Sequence, residues 1–200
     1  MSRKRFILIT AVLLCNLAAL LLVAWVGFRK TSTASSLTAP TAPSAISIQL
    51  GRESVSKGIQ LIEWAKDGAT EAASVGGSEC RFVRSPPRER AFMYFAIDPS
   101  FKESTLMNAL VTVEYFDREP GEFRLNYDAV NLPENKSSRY ETAGNKQETV
   151  GSQQWKKAYF LAHNARFQNS QNGGADFRLE ARVPELHVRR VTMELLSDRL

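Results

Sequence analysis

The chain is poor in the residues that build covalent or metal-centred scaffolds, with two cysteines and two histidines among 200 residues. Cys15 lies inside a long apolar run. Cys80 therefore has no intramolecular partner in the remainder, and disulfides are excluded as the frame of the fold. Neither His163 nor His187 has a cysteine, histidine or aspartate at ligand spacing, so no metal centre is legible. Cys80 and His163 stand far apart in sequence and give no signal of a nucleophile and its base. Glycoside hydrolysis needs two carboxylates across a cleft, and 21 acidic residues always supply pairs, so that test has no power here. No set of residues with assignable catalytic roles can be assembled, and the expectation is a protein without catalysis.

The chain also lacks a net charge once its first thirty residues are set aside. Arg3, Lys4, Arg5, Arg29 and Lys30 are its only charged residues there. Removing these five from the 26 bases leaves 21, against 21 acids, so residues 31–200 are formally neutral. The pI near 9.4 belongs to the N-terminus. No electrostatic funnel for phosphates follows, and nucleic acid is not an expected partner.

What is present begins with FILITAVLLCNLAALLLVAWVGF, Phe6 to Phe28, 23 residues without a charge. A helix crosses a hydrocarbon core of about 30 Å in roughly 20 residues. The run exceeds the ~7–15 residues of a signal-peptide core, and Trp25-Val-Gly-Phe makes a poor cleavage context. Residues 1–30 thus read as an uncleaved transmembrane anchor. Cys15 lacks the small residues that precede a lipoprotein cysteine. Three bases before the span against two after it favour a cytoplasmic N-terminus. Residues 31–45, TSTASSLTAPTAPSA, are uncharged and cannot form a core. They read as a flexible tether reaching roughly 20 Å.

Residues 46–200 read as one β domain, mostly of period two. In Gly121 to Val130, Phe123, Leu125 and Tyr127 face one way, while Arg124, Asn126 and Asp128 face the other. Phe177 to Arg182 repeats this alternation. Ala91 to Ile97, AFMYFAI, is apolar on both faces and reads as a central strand. Asn108 to Asp117 and Trp155 to Ala162 are further strands, and Ala45 to Leu50, Gly58 to Ala65 and Cys80 to Val83 are weaker ones. In Glu185 to Leu196 the apolar phase slips at Arg189-Arg190, which predicts a bulge within a strand. Turn signals such as Asp67-Gly68, Gly76-Gly77, Pro120-Gly121 and Asn172-Gly173-Gly174 separate these runs. The fold class expected is all-β, an antiparallel β-sandwich or jelly roll.

Several stretches in order carry a resemblance: Asp67-Gly68-Ala69-Thr70, Val75 to Gly77, FMYFAIDPSF at 92–101, VTVEYFD at 111–117, FRLNYD at 123–128, Trp155-Lys156, ARFQNSQNGGADFRLE at 165–180, and HVRRVTMEL. Together they resemble the galactose-binding-like β-sandwich modules of secreted bacterial carbohydrate-active and cell-surface proteins. The resemblance implies a carbohydrate-binding, extracytoplasmic module. It leaves open one cofactor, a structural calcium, for which Asp98, Asp117 and Asp128 stand near strand ends. No loop, however, has the dense acid spacing of a dedicated calcium site.

A pyranose ring stacks its apolar face on an aromatic side chain while its hydroxyls need directional polar partners. Trp64, Tyr115, Tyr127, Tyr140 and Trp155 are the aromatic candidates. Tyr127 shares the inward face of its strand and reads as core. Tyr140 and Trp155 flank a polar connection and are expected to be exposed. Asn169, Asn172, Asp176, Asp128 and Arg178 complete the expected carbohydrate contacts. The two glycines after Asn172 equally suit a sharp reversal that sets strand register. A glycan is one expected partner; the alternative is a protein of a cell-envelope assembly, bound through a loop or sheet edge.

Overall fold

The computed structural model describes residues 45–102, 106–129 and 140–196. The transmembrane reading of 1–30 and nearly all of the tether lie outside the described residues. Among the described residues no helix is long and apolar enough to cross a membrane.

Twelve strands make up the described chain: β1 (Ala45–Gln49), β2 (Val55–Lys57), β3 (Ile59–Ile62), β4 (Glu71–Val75), β5 (Ser78–Arg84), β6 (Ala91–Ile97), β7 (Met107–Asp117), β8 (Pro120–Asp128), β9 (Tyr140–Val150), β10 (Gln154–Ala165), β11 (Phe177–Ala181) and β12 (Glu185–Leu196). Single 3-10 turns occupy Pro99–Phe101 and Asn172–Gly174. One sheet runs β10-β7-β12-β1-β2, with β5 also on β12 and β4 on β5; the other runs β3-β6-β11-β8-β9. The pairings between these strands are antiparallel. The two sheets share one buried core, which is the antiparallel sandwich that the alternating sequence implies.

Period-two burial builds that core. On β7, Met107, Ala109, Val111, Val113 and Tyr115 point inward. Phe123 from the five-stranded sheet locks onto Tyr115 and Phe160 of the other, edge to face, at centroid distances of 4.9 and 5.7 Å. Alanines at 109, 158 and 162 leave room for these rings, so large and small residues interdigitate. Tyr127 is core, as its phase requires. The slip in β12 is a bulge: its register on β7 shifts between Val188 and Arg190. Before the bulge β12 pairs with β5 and after it with β1, so the extra residue redirects one edge of the strand to a new neighbour.

Three strands go beyond the sequence reading. β2 and β4 are short, with mostly exposed residues, and β9 occupies the stretch read as a polar connection. β9 is the edge of its sheet and buries only Tyr140, Ala143 and Thr149, so it lacks an alternating apolar face.

Candidate functional site

The outer face of the five-stranded sheet carries a row of side chains in register across all its strands: Ile62, Tyr94, Arg178, Asn126 and Thr142. Alternation dictates this row on the central strands, where the neighbours of Tyr94, Arg178 and Asn126 fill the core. Arg178 is its centre. Its guanidinium carbon lies 4.0 Å from the Phe92 ring centroid and 3.6 Å from that of Tyr140. Its Nε donates to Asn126 Oδ1 at 3.1 Å, and Asn126 Nδ2 donates to Thr142 Oγ1 at 3.1 Å. The rings hold the guanidinium plane and the amide fixes its rotation.

Tyr94 sits beside it, with no exposed surface. Its hydroxyl donates to Asp67 Oδ1 at 2.9 Å and accepts from Asn172 Nδ2 at 3.1 Å. Burial and the Asp67 carboxylate push the Tyr94 phenol up, against the pull of Asn172 and Arg178. Burial pushes Tyr140 up to about 12, although Arg178 works in the opposite direction. Both phenols are therefore neutral at physiological pH.

Two turns rim this face. The first joins β3 to β4, where Trp64 and Gly68 exchange backbone hydrogen bonds and the Asp67 carbonyl accepts from the Phe92 amide. A β-carbon on Gly68 would overlap the Tyr94 ring, so the turn can lie this close only as glycine. The second is Asn172-Gly173-Gly174. Gly173 and Gly174 have φ of 68° and 78°, and a β-carbon on Gly173 would stand 2.8 Å from Ile62. The glycines that precede Phe177 thus make a tight reversal that also forms a lip against Ile62 and Trp64. Trp64 is half-buried, with Lys66 Nζ 5.8 Å from its ring centroid.

The seven residues read as carbohydrate contacts separate into three groups. Arg178, Asn172 and Tyr140 meet at this face. Tyr140, expected to be exposed, is only 8 % exposed, because it opens strand β9 and lies under Arg178. Asp176, Asn169 and Asp128 lie in the hydrogen-bonding that anchors the loop before β11. Asp176 is fully buried and accepts from the Ile97 amide (2.8 Å), the Asn169 amide (2.8 Å) and Lys102 Nζ (2.9 Å). Asn169 Nδ2 donates to the Gly174 carbonyl, and Asp128 Oδ2 accepts from Ser170 Oγ at 2.6 Å. Trp155 stands on the opposite sheet, edge to face with Phe116 at 5.4 Å and 4.6 Å from Arg189. It is half-buried there, where a β-carbon on Gly76 would touch both its ring and Phe116.

The carboxylates weighed for calcium are engaged by protein donors. Asp117 is fully buried and accepts from the Val150 and Gly151 amides, Ser152 and Lys156. Burial opposes its ionisation, but these hydrogen bonds hold its carboxyl well below the usual carboxylate range. Asp98 caps the 3-10 turn at Pro99–Phe101 through Ser100. Among the described residues no group of three or more acid, histidine or cysteine side chains is gathered.

Phe92, Tyr94, Asn126, Thr142 and Ile62 were not singled out from the sequence. The signal existed in AFMYFAI. An antiparallel strand with aromatic residues on its outer face needs something to cover them, and here turns and Arg178 do so.

No known family model and no curated protein matches the chain. Solved structures of similar fold exist. A family 29 carbohydrate-binding module from Piromyces equi is 11% identical over 76% of this chain and 91% of that one, with a TM-score of 0.43. The CBM22-1 xylan-binding domain of Xyn10C from Paenibacillus barcinonensis is 10% identical over 78% of this chain and 95% of its own, with a TM-score of 0.43. The C-terminal CBM6 of the laminarinase LamC from Zobellia galactanivorans is 12% identical over 68% and 98%, with a TM-score of 0.39.

Proposed function

We propose that residues 46–200 form a non-catalytic carbohydrate-binding module whose ligand lies on the outer face of the five-stranded sheet. The row Ile62–Tyr94–Arg178–Asn126–Thr142 carries this reading. A sugar offers alternating apolar and hydroxyl surfaces; of this row Ile62, Arg178 and Thr142 reach solvent, so the face offers aliphatic surface, a hydroxyl and a guanidinium that the buried Asn126 and Tyr94 hold in place. Trp64 and Asn172, on the two rimming turns, supply a ring edge and a further amide. Glu122 and Glu180, on the same face, are each ion-paired to arginines, which argues against the free acid and base of a glycosidase. The uncharged run at 6–28 anchors the module in a membrane, and the tether holds it on the extracytoplasmic side.

A second reading, an envelope protein as partner, draws on Tyr159 and Leu161. These are 56% and 48% exposed, side by side on the outer face of edge strand β10. A glycan array probed with the full chain in detergent micelles separates the two. The carbohydrate reading expects retention on at least one polysaccharide class that is lost in Asn126→Ala. Retention on none, together with crosslinking of an envelope protein through Tyr159, contradicts it. Protease protection of the C-terminal domain in sealed spheroplasts would contradict the extracytoplasmic placement.

A further inference from the structure

We propose that the glycan taken by this face is acidic, and that Arg178 receives its carboxylate or sulfate ester; the proposal rests on the carbohydrate reading above. Six lysines and arginines among the described residues are half-buried: Arg81, Lys102, Arg124, Lys156, Arg178 and Arg189. Five are ion-paired to a carboxylate, namely Arg81 with Glu63, Lys102 with Asp176, Arg124 with Glu122, Lys156 with Asp117 and Arg189 with Glu114. Among the described residues Arg178 alone of the six has no carboxylate within ion-pair distance. Its hydrogen bonds go to the neutral oxygens of Asn126 and Tyr94.

A half-buried cation without a counter-ion is unfavourable unless something offsets its lost hydration. The two flanking rings offset part of that cost, and they hold the guanidinium without consuming its charge. The acids on the same face are occupied elsewhere. Glu180 pairs with Arg90 and Arg182, Glu122 with Arg124 and Lys146, and Asp67 accepts the Tyr94 hydroxyl. The geometry leaves a planar donor group to which no carboxylate among the described residues supplies a counter-ion. Guanidinium geometry matches the two oxygens of a uronate carboxylate or those of a sulfate ester.

Beyond Asn126 and Thr142 the face continues into a shallow recess of about 380 Å³, lined by Arg124, Thr142, Ala143, Gly144, Asn145 and Lys146. It opens where the β8–β9 register shifts between Arg124 and Asn126. Among the described residues the buried Arg124 Nε there has no hydrogen-bond partner. The cations of the recess, Arg124 and Lys146, are both paired with Glu122, so it adds polar surface beside Arg178 and no second unpaired charge.

The test titrates the full chain in detergent micelles with polygalacturonate, alginate and a sulfated galactan. Each uronate polymer is set beside its carboxyl-reduced form, which keeps the linkages and removes the charge. The expected result is binding of at least one acidic polymer about tenfold or more tighter than its neutral counterpart. That ratio should shrink in added salt and fall toward unity in Arg178→Gln, with Arg178→Lys intermediate. Preference for the sulfated polymer over the uronates would support the proposal and identify the anion. Equal or tighter binding of the carboxyl-reduced forms overturns it and leaves the carbohydrate reading standing. Equal binding of polyglutamate overturns it in favour of unspecific charge attraction, and binding to no glycan removes both readings. Should Arg178→Gln fail to fold, the wild-type comparison of acidic and reduced polymers decides the matter.

Discussion

Asp117 and His187 are both buried ionisable groups, and they respond to acid for opposite reasons. Asp117 is held ionised by Lys156, Ser152 and two amides, so its folded-state affinity for a proton is lowered. Its contribution is fully present above the unfolded carboxylate value of about 3.9 and is lost as pH falls below it. Asp117→Asn removes the charge that Lys156 answers. Chemical denaturation at neutral pH should show a loss of about 2–4 kcal/mol, and a loss within the error of zero would contradict the reading of Asp117 as an anchor. His187 stacks on Phe82 at 4.8 Å and is almost fully buried. Burial lowers its proton affinity, Glu185 works against that, and Arg118 and Arg84 reinforce it. The folded state therefore prefers the neutral ring, so stability is full above the unfolded value of about 6.5 and declines as pH falls through it. Melting temperatures at pH 7 and pH 5 should converge in His187→Gln relative to wild type; an undiminished gap would assign the acid sensitivity elsewhere.

Among the strands, those with a buried face were legible in the sequence, edge strand β10 included, and the polar edge strands were not. β7, β8, β10, β11 and β12 announce themselves because one side of each excludes water and alternation exposes that side, and β6 because it is apolar throughout. β9 is polar almost throughout, since an edge strand needs hydrogen bonds on one side and little apolar cover. Missing β9 had a consequence for the site, because Tyr140 starts that strand and is buried as a result. Arg178 and Asn172 were legible as polar groups near the glycine turn. Their partners Phe92 and Tyr94 were hidden in a strand whose apolar character looked sufficient for a core. The glycine turn itself gives a comparison between adjacent residues. Gly173 and Gly174 share a left-handed backbone, but only at Gly173 would a side chain strike Ile62 and Trp64; nothing lies within 4 Å of a β-carbon on Gly174. Gly174→Val should cost about 1–3 kcal/mol of backbone strain, and Gly173→Val more. Equal losses in thermal melting would show that the lip does not pack on Ile62. Between the sheets, Phe123→Ala should cost about 3–5 kcal/mol, because it removes the ring shared by Tyr115 and Phe160.

For the molecule as a whole, the two outer faces differ in kind. The seven-stranded sheet packs Trp155 against Phe116, where Gly76 closes over both, and leaves Tyr159 and Leu161 exposed. The five-stranded sheet carries the registered polar row with a ring-held guanidinium. Fixed orientation sets this face apart: alternation sets which groups face outward, and the antiparallel register sets which of them meet. Affinity electrophoresis in gels containing the polysaccharide that retains the wild type tests this most directly, using two variants first shown to melt normally. Arg178→Gln should migrate without retention, and Trp155→Ala should be retained like the wild type. Retention of Arg178→Gln together with free migration of Trp155→Ala would place the ligand on the opposite sheet and contradict binding at the Arg178 face.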